Sequence, residues 1–164
     1  MGTEIERKFL VDSNVWRPAG AGVLIRQGYL SSVKERVVRV RIAGSDAFLT
    51  VKGLTDNLIT RWEFEYSIPV ADATILLDRL CERPLVEKTR HEEKIGAHLW
   101  DIDVFHGENE GLILAEIELA DPAEPFESPV WIGKEVSDDS RYYNANLASV
   151  PFRSWSGRID GAKA

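Results

Sequence analysis

The sequence has few of the residues that build disulfide frameworks and histidine-based metal sites. Its 164 residues include one cysteine, Cys81, and three histidines. A single cysteine excludes an internal disulfide and is typical of proteins from reducing compartments, so we expect a cytoplasmic protein. His91, His98 and His106 lack the HExxH spacing of zinc hydrolases. The chemistry of this protein must therefore rest on other residue types.

Long apolar runs and excess positive charge are also absent. No apolar run approaches the roughly 18 residues that span a membrane, and charges begin at Glu4, where a secretion signal would be apolar. The formal net charge of −7 disfavours non-specific binding to nucleic acid. We therefore expect neither a membrane nor a nucleic acid as a partner. The length predicts a single domain over residues 1–164, and the sequence is compatible with a homodimer.

Short strand-forming runs, separated by turn residues, make up most of the chain. One helix is predicted from Asp72 to about Glu82, and a second is predicted to begin at Ser137-Asp138-Asp139. About eight strands are enough to close a barrel. The eight predicted strands are Thr3–Val11, Val23–Leu30, Glu35–Ala43, Ala47–Lys52, Thr60–Ile68, Leu85–Ile95, His98–Phe105 and Leu112–Leu119.

Most of these strands alternate charged with apolar residues. Because residues two apart on a strand point to the same face, Glu6 and Lys8 share one face and Ile5 and Phe9 share the other. An ordinary sheet with a solvated charged face is one interpretation. The charges are sorted by sign, however, with acidic pairs on the first, fifth, seventh and eighth strands and basic pairs on the third and sixth. Carboxylate clusters suit Mg²⁺ or Mn²⁺, and cation clusters suit phosphate, so the pattern predicts a metal-bound polyphosphate ligand.

The ordered set of charged motifs resembles that of the CYTH superfamily, the triphosphate tunnel metalloenzymes. The resemblance covers roughly Met1 to Leu147 and is greatest to short bacterial members of the inorganic tripolyphosphatase type. It implies a mainly β (α+β) fold, an eight-stranded antiparallel closed barrel with a polar interior and helices packed outside. The motifs are Glu4-Ile5-Glu6-Arg7-Lys8, Val38-Arg39-Val40-Arg41, Thr50-Val51-Lys52, Arg61-Trp62-Glu63-Phe64-Glu65, Lys88-Thr89-Arg90, Asp101-Ile102-Asp103 and Glu116-Ile117-Glu118.

The same resemblance implies a role for each charged residue. The implied metal ligands are Glu4, Glu6, Glu63, Glu65, Asp103, Glu116 and Glu118. The implied phosphate ligands are Lys8, Arg39, Arg41, Lys52, Arg61, Lys88 and Arg90. Tyr29 and Lys88 are the implied catalytic residues, with Tyr29 as a proton acceptor whose pKa neighbouring cations are expected to lower. The alternative for Tyr29 is a buried aromatic residue that only packs.

We therefore expect a hydrolase that uses Mg²⁺ or Mn²⁺ to cleave a phosphoanhydride bond of a linear triphosphate. Inorganic tripolyphosphate is the preferred substrate, because the sequence shows no element that would recognise a nucleobase. Adenylate cyclase and thiamine triphosphatase activities of the same superfamily are alternatives. A non-catalytic sensor of polyphosphate or nucleotide, and a structural barrel held by internal ion pairs, are further alternatives.

Overall fold

A computed structural model describes residues 5–54 and 61–155, which form a mainly antiparallel β structure with few helices. All eight predicted strands are confirmed, with small shifts at their ends, although the predicted starts Thr3 and Thr60 lie outside the described residues. A short ninth strand follows them, which the sequence analysis does not predict. The strands are β1 (Ile5–Val11), β2 (Val23–Ser31), β3 (Arg36–Ala43), β4 (Asp46–Leu54), β5 (Arg61–Ser67), β6 (Val86–Ile95), β7 (His98–Phe105), β8 (Ile113–Leu119) and β9 (Ile132–Glu135).

The strands form one sheet in the order β5-β4-β3-β2-β6-β7-β8-β1-β9. The expected closed eight-stranded barrel is wrong for the described residues, because β5 and β9 are the two edges of an open sheet. Closing an eight-stranded barrel would require β1 to pair with β5. The outer edge of β1 is instead taken by β9, which places Phe9 opposite Glu135 and Val11 opposite Ile132.

One face of this sheet is polar, with several of its central side chains buried and those of the edge strand β5 exposed, and we call it the polar face. Its side chains come from every strand from β1 to β8 and follow the predicted alternation. The burial of the central side chains of this face shows that the sheet curls around them. The buried polar residues of this face are Lys8, Gln27, Thr50, Lys88, Asp103 and Glu116.

The opposite, apolar face is covered in two places. Trp16 and Trp131 pack over Phe9 and Trp100. Helix α1 (Val70–Ile75) and the π-helical turn that follows it at Leu76–Leu80 pack against β3 and β4, which confirms the predicted helix in this region. None of the helices in the described part of the chain is long and apolar enough to cross a membrane.

The C-terminal segment closes one end of the polar face. The predicted second helix begins later than expected, because Asp139 caps a short 3₁₀ turn and α2 then covers Asn144–Ser149. Leu147 of α2 joins a buried cluster with Leu10 and Leu114, which are in phase with the polar residues of β1 and β8. The expectation that both helices pack outside is therefore wrong for α2, whose apolar side chains complete the core at this end.

Candidate active site

An acidic pair lies where β1 meets β8. Glu6 is the cross-strand partner of Glu118, and Lys8 is the partner of Glu116, whose Oε1 lies 3.2 Å from Lys8 Nζ. Partial removal from water and then the charge of Glu116 raise the pKa of Glu6 to about 7, although Lys8 opposes this shift. Glu116 is one cross-strand pair away from Glu6 on the same face of β1 and β8, so the two carboxylates are diagonal neighbours. The pair therefore carries negative charge that its neighbours do not fully balance.

A hard divalent cation fits this donor set. It would relieve the repulsion between the two carboxylates, and Mg²⁺ and Mn²⁺ prefer carboxylate oxygens. Glu118 is exposed beside the pair, and Glu4 lies outside the described residues. In residues 5–54 and 61–155 no three acidic, histidine or cysteine side chains already converge as a metal site.

Three of the predicted residues meet in an ion network at the centre of the polar face. Lys88 Nζ donates to Asp103 Oδ2 at 2.7 Å, and Arg90 donates to both carboxylate oxygens at 2.8 and 2.9 Å. Burial opposes ionisation of Asp103, but the two cations outweigh it and lower the pKa of Asp103 to about 2. Both oxygens of Asp103 are thus already engaged, which favours an ion-pair role over metal binding.

Lys88 and Lys8 are both held by the C-terminal segment. Lys88 is 2% exposed, and its Nζ also donates to Asn144 Oδ1 at 3.2 Å. Lys8 Nζ donates to the carbonyl oxygen of Tyr142 at 3.3 Å. The sequence analysis misses Asn144, because an asparagine at the start of a helix usually indicates a cap. Contacts of this kind, between residues far apart in the chain, leave no local sequence signal.

A cationic wall lies on β3 and β4, beside the edge strand β5. Arg39 and Arg41 share one carboxylate, with their Nη2 atoms 3.6 and 3.7 Å from Glu65 Oε2, and Lys52 Nζ lies 3.2 Å from Glu63 Oε2. Burial, followed by repulsion from Arg39, lowers the pKa of Arg41. Three cations therefore face two carboxylates, which leaves this wall with a net positive charge that suits a phosphate chain.

The predicted residues of β5 lie on a strand that pairs with neither β1 nor β8. Glu63 and Glu65 are on an edge strand at the far end of the sheet order from β1 and β8, and each is paired with cations of the adjacent strands. This arrangement favours a role in orienting Lys52 and Arg39. The side chain of Arg61 lies outside the described part of the structure.

Tyr29 is buried, with 4% of its surface exposed, and is the cross-strand partner of Arg39. Burial raises the pKa of Tyr29, and the opposing effects of Arg39, Gln27 and Arg41 do not overcome it. The expectation that cations lower the pKa of Tyr29 is wrong, because desolvation of the phenolate outweighs their attraction. Without ligands, Tyr29 is a neutral phenol at neutral pH.

A cavity of about 410 Å³ reaches the polar face between β2, β3 and β6. Arg41 and Arg90 line its walls, together with Ile25 and the loop residues Gly20 and Gly22. Ligand sites in proteins commonly have volumes of about 300–1,000 Å³. The cavity thus gives a small anion a route to two of the predicted phosphate ligands.

Comparison with known proteins places the chain in a family. The chain is 46% identical over 155 residues to an inorganic triphosphatase of Acetivibrio thermocellus, covering 94% of this chain and 99% of the relative. It is 39% identical over 156 residues to an inorganic triphosphatase of Nitrosomonas europaea, covering 91% and 99%.

Solved structures agree with these sequence relationships. A crystal structure of an inorganic triphosphatase matches with a TM-score of 0.67 at 38% identity, covering 90% of this chain and 95% of the other. A Pyrococcus horikoshii protein shares the fold with a TM-score of 0.50 at 18% identity, covering 73% and 79%. The family model described as CYTH domain matches residues 2–148. With the charged polar face and these relationships together, the chain belongs to the CYTH domain family.

Proposed function

We propose that this protein, acting as a single domain over residues 1–164, hydrolyses inorganic tripolyphosphate with the help of a divalent metal ion. The observation that carries the proposal is the separation of charge on the polar face. The acidic pair Glu6–Glu116 lies toward one edge of the sheet, and Arg39, Arg41 and Lys52 lie toward the other. The names of the two relatives, at 46% and 39% identity, support the same activity.

Metal binding is assigned to Glu4, Glu6, Glu116 and Glu118. Bound there, Mg²⁺ or Mn²⁺ would supply a Lewis acid that polarises a phosphoryl oxygen and acidifies water. Lys8, 3.2 Å from Glu116, holds that carboxylate in place. Asp103, Glu63 and Glu65, which the family resemblance also implies as metal ligands, are assigned instead to orienting the cations with which they pair.

Phosphate binding is assigned to the cations that retain free donors. Arg39, Arg41 and Lys52 would contact one side of the phosphate chain, with Arg61 on the adjacent strand. Arg90, at the mouth of the cavity, would contact it from β6, while buried Lys88 fixes Asp103 and thereby Arg90. These charges would neutralise the negative charge that develops on the transferred and leaving phosphoryl groups.

Tyr29 is the candidate to accept a proton from the attacking water. Its raised pKa means that the phenolate becomes abundant only at alkaline pH. Direct attack by water needs no covalent intermediate, and the buried polar residues of the polar face include no cysteine or serine in residues 5–54 and 61–155.

The test is phosphate release from tripolyphosphate, ATP and thiamine triphosphate, each with Mg²⁺ and with Mn²⁺. The proposal expects turnover, with tripolyphosphate hydrolysed fastest. Faster turnover of thiamine triphosphate or ATP would assign the chain to a different activity of the superfamily. Tight binding of tripolyphosphate without phosphate release would indicate a sensor.

A further inference from the structure

Three buried donors on the polar face lack a hydrogen-bond partner among the described residues. They are Gln27 Nε2, Arg39 Nε and Arg41 Nε. A fourth unpartnered atom, Trp100 Nε1, belongs to the apolar face, where the Trp100 ring packs edge-on against Trp131 at 5.5 Å. Nearly all buried polar atoms in folded proteins are paired, because an unpaired one is costly. Three such donors on one wall therefore indicate a ligand that supplies acceptors.

The three donors belong to adjacent positions on neighbouring strands. Gln27 on β2 is the direct cross-strand partner of Arg41 on β3, and Tyr29 is the partner of Arg39 in the next pair of this face. The Cβ atoms of such partners are about 4.5–5.5 Å apart. On the other side of β2, Gln27 lies opposite Val86, and it is 1% exposed. The Gln27 amide therefore has cations and Tyr29 as its polar neighbours on this face. It lies near enough to Tyr29 to oppose the rise in the pKa of the phenol, but its Nε2 has no partner at hydrogen-bond geometry in the described part of the chain.

The chemistry of this cluster suits an anion. Arg39 and Arg41 repel each other, which contributes to the lowered pKa of Arg41, and their shared carboxylate Glu65 lies at 3.6 and 3.7 Å, beyond hydrogen-bond length. A tetrahedral phosphoryl group presents several acceptor oxygens to donors on one surface. A neutral amide adds a donor here without adding a third positive charge beside two guanidinium groups.

We propose that Gln27 is a phosphate ligand, whose Nε2 binds, together with Nε of Arg39 and Nε of Arg41, the phosphoryl group that lies beside Tyr29. The inference rests on the proposed function, since the anion is identified as part of tripolyphosphate. It adds a residue to which neither the charged motifs nor the family resemblance assigns a role. A single bound phosphoryl group would then account for all three unpartnered donors of β2 and β3.

The chain offers a direct probe, because Gln27 is its only glutamine. Selective ¹⁵N-glutamine labelling gives one pair of side-chain NH₂ resonances, which report on the Gln27 amide alone. Titration with tripolyphosphate in EDTA, where turnover is not needed, should shift this pair saturably. Calorimetry under the same conditions measures binding independently. If calorimetry shows saturable binding while the Gln27 side-chain resonances do not move, the proposal is overturned. A shift without any hydrolysis when Mg²⁺ is restored would sustain this inference while the proposed enzymatic function failed.

A variant provides the second arm. Gln27→Met keeps the length of the side chain and deletes both polar atoms, so tripolyphosphate should bind about ten-fold or more weakly, as expected for a hydrogen bond to a charged group. The melting temperature of the ligand-free variant should hold or rise, because an unpaired buried donor is removed. Arg26→Met, one residue earlier on the opposite face, is the control and should bind as wild type. If Gln27→Met binds tripolyphosphate with wild-type affinity, the Gln27 amide is not a phosphate ligand, whether or not the melting temperature falls.

Discussion

Glu6 and Glu116 are diagonal neighbours on the adjacent strands β1 and β8, and partial removal from water together with the charge of Glu116 raises the pKa of Glu6 to about 7. Asp103 lies on the same face, but its pKa shifts in the opposite direction. The charges of Lys88 and Arg90 outweigh the effect of burial and lower the pKa of Asp103 to about 2. The first site has unbalanced negative charge, whereas the second is balanced by protein cations. This contrast is the reason for proposing a metal-binding role for Glu6 and Glu116 and a structural role for Asp103.

Asp103→Asn should strongly destabilise the protein, because it removes the carboxylate that balances the buried charge of Lys88. The expected loss in free energy of unfolding is about 3–5 kcal/mol, the scale for breaking a buried ion pair. Urea unfolding measures it. Glu135→Gln, which breaks the half-exposed pair with Arg7, is the control and should cost at most about 1 kcal/mol. Equal stability of Asp103→Asn and wild type, with loss of metal binding, would return Asp103 to the metal ligands.

Arg39→Ala should weaken binding of tripolyphosphate by about 1.5–3 kcal/mol, the scale for a hydrogen bond to a charged group. Calorimetry in the absence of metal measures the affinity without turnover. Arg26→Ala is the matched control, because Arg26 pairs with Asp78 and Glu87 away from the polar face. Unchanged affinity with a large fall in melting temperature would show that Arg39 serves the fold.

Tyr29→Phe should reduce kcat by about 10²–10⁴-fold, the contribution of a general base, and leave KM nearly unchanged. The pKa of Tyr29 is raised, so the phenolate fraction, and with it the wild-type rate, should rise with pH through the alkaline range. This alkaline limb should be absent from the pH–rate profile of the Phe variant. A kcat within about threefold of wild type would leave Tyr29 as a packing residue.

Strand alternation predicts which described charged residues of β1 and of β3 to β8 share the polar face. Lys8 is the cross-strand partner of Glu116, and Arg90 is the partner of Asp103, as expected for side chains on the same face. Closure of the barrel is not predictable in this way. It depends on β9, a four-residue strand after Pro129 that is too short to show alternation and that takes the free edge of β1.

The pKa values of side chains in the site also cannot be predicted from the sequence, because they depend on burial. Counting cations near Tyr29 predicts a lowered pKa, whereas desolvation by the surrounding cluster raises it. Asn144 and Gln27 carry no charge and lie outside the charged motifs, so pattern alone does not identify them. Their roles depend on contacts with Lys88 and Arg41 that only the folded chain creates.

The most direct test of the proposed mechanism is phosphate release from tripolyphosphate by metal-stripped protein in excess EDTA and after Mg²⁺ or Mn²⁺ is restored. Circular dichroism checks that the fold survives stripping. We expect no turnover in EDTA, recovery with the metal ion, and loss of that recovery in Glu116→Gln, which removes half of the acidic pair. Full turnover by the stripped wild-type protein in EDTA would contradict metal-dependent hydrolysis at Glu6 and Glu116.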